Sequence, residues 1–189
     1  MEAFLTSTLL VAIAEIGDKT QLLSFVLAAR LRKPGAIILG ILAATLANHL
    51  LAASVGLWLS QFIPAWLLPW LTGLLFVGCG LWALHPDSLD DGPKLHRAGV
   101  FVTTLIVFFI AEMGDKTQLA TVALAARFDA LIVVTLGTTL GMMLANIPAV
   151  LIGEALAQKL PLGKIRIAAA AIFIVTGLLA IFGAPQIAF

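Results

Sequence analysis

The chain has 189 residues, 61% of them hydrophobic and 11% charged, with a formal net charge of +1 and a mean hydropathy of +1.11. Soluble globular proteins hold about 25% charged residues, so this composition excludes one and indicates an integral membrane protein. The near balance of 11 basic against 10 acidic residues offers no field for nucleic acid, and Cys79, the single cysteine, excludes an internal disulfide and a cysteine-rich metal site.

A helix that crosses a bilayer takes about 20 apolar residues, and the hydropathy pattern predicts six, over 4–31, 36–60, 66–85, 98–127, 130–153 and 165–184. The first follows Met1-Glu2, which lacks the basic start of a cleavable signal, and its apolar run contains Glu15, so it reads as a retained helix. The second carries small residues four apart, Gly40 with Ala44 and Ala43 with Ala47, spaced for close backbone approach. Asn48 and His49 follow in the same helix. The third holds Cys79, read as a packed core residue. Residues 86–97, with Asp87, Asp90 and Asp91, read as a solvated linker that could also attract cations. The fourth helix carries a second copy of the motif described below. The fifth has Gly137-x-x-x-Gly141, then Asn146 and Pro148, which could kink it; the sixth closes the chain.

The chain repeats itself. Ala14-Glu15-Ile16-Gly17-Asp18-Lys19-Thr20-Gln21-Leu22 returns as Ala111-Glu112-Met113-Gly114-Asp115-Lys116-Thr117-Gln118-Leu119, at an offset of 97 that Ala28-Ala29-Arg30 and Ala125-Ala126-Arg127 keep. Leu46-Ala47-Asn48 matches Leu144-Ala145-Asn146 at 98, so one residue is inserted in the second half. The expected fold is an all-α integral membrane protein of six transmembrane helices, built as two three-helix repeats, 1–97 with the cytoplasmic linker 86–97, and 98–189. Three helices per repeat make the second enter the bilayer from the opposite side, which gives inverted repeats. Arg30, Arg32, Lys33, Lys94, Arg97, Lys159, Lys164 and Arg166 follow odd-numbered helices, against Arg127 alone after an even-numbered one. The positive-inside rule then puts both termini outside the cytoplasm.

An ionisable side chain at the centre of a membrane helix costs about 2.5 to 3.5 kcal/mol, a penalty that packing gives no reason to bear six times. On a continuous helix Glu15, Asp18 and Lys19 share one face, with Gln21 at its border and Gly17 nearly opposite, and Glu112, Asp115, Lys116, Gln118 and Gly114 repeat the arrangement. Four carboxylates and two ammonium groups leave a formal charge of about −2, which a divalent cation neutralises. Oxygen ligands without thiolate or paired imidazole suit Mg²⁺, Ca²⁺ or Mn²⁺. Glu15, Asp18, Glu112 and Asp115 are the expected metal ligands. Gln21, Gln118, Thr20, Thr117, Asn48 and Asn146 are candidate neutral partners, as are backbone carbonyls if the helices unwind at Gly17 and Gly114. Lys19 and Lys116 only donate hydrogen bonds and so hold the acids in place. The bland alternative pairs Glu15 with Lys19 and Glu112 with Lys116 as i, i+4 salt bridges, which leaves Asp18 and Asp115 unexplained. His49 has Ile147 as its counterpart and reads as a packed interior histidine or a proton relay.

At these residues the chain resembles the manganese and calcium transporter family marked by two E-x-G-D-[KR]-[ST] motifs, which includes Golgi cation transporters and bacterial MneA-type manganese exporters. The resemblance implies a secondary active transporter, not an enzyme, that moves Mn²⁺ or Ca²⁺ out of the cytoplasm in exchange for protons, with Glu15, Asp18, Glu112 and Asp115 as ligands. The inverted halves lead one to expect alternating access around this mid-membrane acidic site built from both repeats. It implies no cofactor apart from the transported ion, and partners limited to divalent cations, protons and the lipid bilayer, with a homo-oligomer left open. The compact length favours a bacterial plasma-membrane member. Competing readings are a Ca²⁺/H⁺ antiporter as the main activity, a passive cation channel, and an intramembrane lipid-phosphate enzyme. Against the last, no arginine stands beside the acids to hold phosphate.

Overall fold

The computed structural model describes residues 1–85, 99–152 and 162–183. Among them the chain is all-helical, with no strand: α1 (Glu2–Glu15), α2 (Lys19–Leu31), α3 (Pro34–Ser60), α4 (Leu68–Ala83), α5 (Val100–Glu112), α6 (Lys116–Phe128), α7 (Leu131–Ile152) and α8 (Leu162–Phe182). The expected acidic linker, with Asp87, Asp90 and Asp91, lies outside the described residues.

The first and fourth expected helices are not continuous. Each breaks at its motif, because Gly17 and Gly114 take φ of 84° and 76°, a left-handed conformation that costs an L side chain about 1 to 2 kcal/mol. The residue before each glycine is extended, with ψ of 114° at Ile16 and 120° at Met113, and Asp18 and Asp115 are extended at the head of the next helix. The two copies also end alike: Arg32 and Asp129 close α2 and α6 at φ 51° and 49°, their amides bonded to the carbonyls of Ala28 and Ala125. The break corrects the one-face arrangement expected of an unbroken helix, since Asp18 and Lys19 no longer continue the turn of Glu15.

Of the other helices, α3, α7 and α8 are each long and apolar enough to cross a membrane, whereas α4 is apolar but has only 16 residues. Pro34 and Pro69 occupy first turns, where the missing amide costs nothing, and Pro148 sits inside α7.

The glycines among the expected small residues pack closely, and Ala44 is buried, whereas Ala43 is half-buried and Ala47 exposed. A Cβ added at Gly40 would lie 2.7 Å from Thr104 Cβ of α5, one at Gly137 would lie 2.8 Å from the Phe4 carbonyl of α1, and Gly141 abuts Thr8. So α3 seats α5 and α7 seats α1, while α3 and α7 also pack on each other. Helices α4 and α8 form a second, closely packed pair, with Gly73 against Gly177, Gly80 against the Ala170 carbonyl, and the Phe76 and Phe173 rings 6.3 Å apart. The core between these bodies is built from Val11, Leu27, Ile41, Phe76, Phe108, Leu124, Met142 and Phe173. Leu5, Leu39, Leu51, Trp58, Phe62, Trp66 and Ile167 face outward, the inverse of a soluble protein.

Candidate metal centre

Breaking two helices at mid-motif brings four helix ends together. Glu15 and Glu112 are the last residues of α1 and α5, and Asp18 and Asp115 are the caps of α2 and α6. All four carboxylates are at most 1% exposed. Acids at helix N-termini are favoured by the dipole, yet neither aspartate makes a side-chain cap bond to its own helix. Their oxygens are turned elsewhere.

Where they turn is across the repeats. Lys116 Nζ pairs with Asp18 Oδ1, and Lys19 Nζ lies 2.9 Å from Asp115 Oδ1. The alternative of i, i+4 pairs within each motif is therefore not what forms: each lysine neutralises an aspartate of the other half. The pairs differ in exposure, the lysine side chains being 3% exposed at Lys116 and 26% at Lys19.

The threonines tie the remaining acids down. Thr20 Oγ1 donates to Glu15 Oε2 at 2.5 Å with Asp18 Oδ2 at 3.3 Å, and Thr117 Oγ1 lies 3.3 Å from both Glu112 Oε2 and Asp115 Oδ2. Glu15 Oε1 and Glu112 Oε1 are buried without a hydrogen-bond partner. An unpartnered buried oxygen is costly unless a cation or a proton satisfies it.

One oxygen from each of Glu15, Glu112 and Asp115 falls within 4.8 Å of the others. Oxygens on opposite sides of one hard cation stand about 4 to 5 Å apart, so the three fit a single ion. Asp18, held by Lys116, stands outside that triangle.

Of the expected neutral partners, several are committed to bracing. Gln21 Oε1 accepts from the Gly17 amide at 2.8 Å and its Nε2 donates to the Ala145 carbonyl at 3.0 Å, while Gln118 Oε1 accepts from the Gly114 amide at 2.6 Å. These amides closed the predicted helices and are freed by the break, so each glutamine repairs its own copy. Asn146 accepts from Ser24 at 2.7 Å and donates to the Met142 carbonyl. Asn48 Nδ2 donates to the Phe109 carbonyl at 3.0 Å, whereas its Oδ1 is buried without a partner and is the available neutral oxygen of the set. His49 is fully buried with neither ring nitrogen hydrogen-bonded.

Sequence reasoning passed over Ser24, although Thr121 at the repeat offset signals a hydroxyl at that place. It also passed over Arg166, which lines a narrow slot with Asp18 and Lys116, so the expectation that no arginine stands beside the acids does not hold; its repeat counterpart is Pro69, so no repetition could flag it. Cys79 is free and buried, its Sγ 3.6 Å from the Lys116 carbonyl.

A family model described as "Divalent cation/proton antiporter GDT1" matches residues 3–91 and again 100–187. A protein of Vibrio cholerae named "Putative manganese exporter" is 49% identical over 183 residues, covering 96% of this chain and 92% of that one. The GDT1-like protein 5 of Arabidopsis thaliana is 27% identical over 218 residues, covering 94% of each chain. The GDT1-like protein sll0615 of Synechocystis is 27% identical over 182 residues, covering 85% and 87%. No solved structure matches the chain.

Proposed function

The chain belongs to the GDT1 family of divalent cation/proton antiporters, and from that premise we propose that it exports Mn²⁺ from the cytoplasm in exchange for protons, Ca²⁺ being the nearest competing cargo. The observation that carries this reading is the convergence of Glu15, Glu112 and Asp115 in a buried, oxygen-only setting with two carboxylate oxygens left without partners. Oxygen donors of this kind take hard divalent ions. The manganese assignment leans on the name of the Vibrio relative.

In this mechanism the ion binds Glu15, Glu112 and Asp115, and Asp18 joins when Lys116 releases it. Thr20 and Thr117 hold the carboxylates in register, and Asn48 Oδ1 supplies a neutral ligand. When the ion leaves, four acids crowded in a low-dielectric centre face two lysines, an arrangement that recruits protons. Metal and protons thus compete for the same oxygens, and that competition is sufficient for exchange.

The same reading takes each broken pair, α1 with α2 and α5 with α6, as one crossing, which with α3, α4, α7 and α8 makes six. The halves 1–97 and 98–189 are then inverted repeats, with both termini outside the cytoplasm and the protein in a bacterial plasma membrane. Supporting this are the two separate stretches matched by the family model and the pairing of packing contacts, α1 on α7 answering α5 on α3. Discontinuous helices meeting at a central ion site are a recurring design in secondary transporters.

The test is uptake of Mn²⁺ and of Ca²⁺ into proteoliposomes under an imposed proton gradient, wild type beside Glu15→Gln. Gradient-driven Mn²⁺ uptake that the substitution abolishes is the expected result. Uptake indifferent to the gradient, or retained in full by Glu15→Gln, would overturn the reading.

A further inference from the structure

Two cavities among the described residues lie at opposite ends of the α4–α8 pair. One is a slot of about 10 Å³, lined by Ala83 near the C-terminal end of α4, by Arg166 and Ala169 near the start of α8, and by Asp18 and Lys116 of the buried centre. It has room for about one water molecule. The other, of about 260 Å³, is lined by Pro69 and Thr72 at the start of α4, Ala180 near the end of α8, and Arg127 near the end of α6. The helix from Pro69 to Ala83 sets the two mouths about 21 Å apart.

The repeat relates them. The offset returns to 97 in the third helix of each half, where Phe76, Gly80, Leu81 and Ala83 match Phe173, Gly177, Leu178 and Ala180, so Pro69 corresponds to Arg166, Thr72 to Ala169, and Ala83 to Ala180. Counterpart positions on the two halves therefore line counterpart cavities at opposite ends of the molecule. They differ in depth. The slot reaches Asp18 and Lys116, whereas the larger cavity does not reach their counterparts, Asp115 and Lys19.

The packing accounts for the difference. Helix α4 packs along α6, with Cys79 Sγ against the Lys116 carbonyl, but among the described residues α8 makes no comparable contact with α2 and leans on α1 instead. The α4–α8 contact, by contrast, is its own counterpart: Gly73 on Gly177 answers Gly80 on Ala170, and Phe76 meets Phe173, its equivalent. A contact symmetric in this way survives an exchange of the two mouths unchanged; the contacts of α4 with α6 and α8 with α1 do not.

Resting on the exchanger reading above, we propose that the two cavities are the two mouths of one cation path, and that the cavity beside Arg127 is a vestibule sealed from the acids by the α4–α6 contact. Helices α4 and α8 then move as one body, closing the slot beside Arg166 as they open the vestibule to Asp115 and Lys19.

The experiment places cysteines at the counterpart rim positions, Pro69→Cys and Arg166→Cys, each in a Cys79→Ser background. Oriented membrane vesicles of both senses are treated with a charged, membrane-impermeant maleimide. The expected result is labelling of the two positions from opposite faces, with Mn²⁺ shifting the two labelling rates in opposite directions, each at least twofold, and labelled Pro69→Cys losing at least tenfold of its Mn²⁺ flux. Labelling from one common face, rates that rise or fall together or do not respond, or wild-type flux in fully labelled Pro69→Cys would overturn the proposal. Should either variant fail to fold, Ala65→Cys and Ala169→Cys report on the same two cavities. If unlabelled wild type carries no Mn²⁺, the exchanger reading falls by itself, because the sidedness of labelling is scored without flux.

Discussion

At the scale of single residues, the centre pairs its aspartates across the halves and leaves one oxygen of each glutamate without a hydrogen-bond partner. Thr20 and Thr117 hydrogen-bond to the carboxylates, and supporting bonds of that kind are worth about 10- to 100-fold in metal affinity. Thr20→Val should therefore raise the KM for Mn²⁺ by about that factor while the protein stays folded, as measured in proteoliposomes. The lysines make a second comparison. Breaking a buried pair from one side costs about 3 to 5 kcal/mol, and Lys116 is far more enclosed than Lys19. Lys116→Met should lower the Tm in detergent by more than Lys19→Met does, and adding Asp18→Asn to Lys116→Met should recover part of the loss. The identity of the acids was legible in the chain because the motif occurs twice, and a charge that costs several kcal/mol is not duplicated idly. Their pairing was not legible. Lys19 stands four residues from Glu15, which on an intact helix makes them neighbours, and nothing local announces that its partner is Asp115 in the other half.

At the scale of elements, the decisive fact is that two predicted helices are each two. A glycine inside an apolar run is ambiguous in sequence, since close packing and a left-handed turn both call for one. The structure separates these uses: at Gly114 an added Cβ would meet nothing within 4 Å, so the residue serves its φ, whereas at Gly40 and Gly137 the space itself is taken. Gly114→Ala should consequently cost about 1 to 2 kcal/mol through backbone conformation alone and reduce transport by re-aiming Glu112 against Asp115. Gly137→Leu should disrupt the seating of α1 on α7, with a larger fall in Tm. Thermal unfolding of both variants beside wild type checks the order. The short α4 was also unforeseen in length, and Arg166 was hidden for lack of any echo in the first half.

At the scale of the whole molecule, apolar composition and duplication together gave the helical class and the family. The tryptophans add a boundary: Trp58, Trp66 and Trp70 are exposed where α3 gives way to α4, and the amphipathic indole ring settles at the level of lipid headgroups. Six crossings require the first and last residues to share one face. Tags at residue 1 and residue 189 should accordingly be cut by protease from the same side of sealed vesicles, and cleavage from opposite sides would refute the proposed topology.

The exchange of ion partners between halves also sets a timetable for synthesis. Asp18 and Lys116 stand 98 residues apart in the chain, and a ribosome adds about 5 to 20 residues per second. The first half therefore waits about 5 to 20 s with an acid whose counter-charge has not yet been made. During that interval it is an incomplete product, dependent on the insertion machinery or on water for company, and it becomes self-sufficient only when its twin arrives.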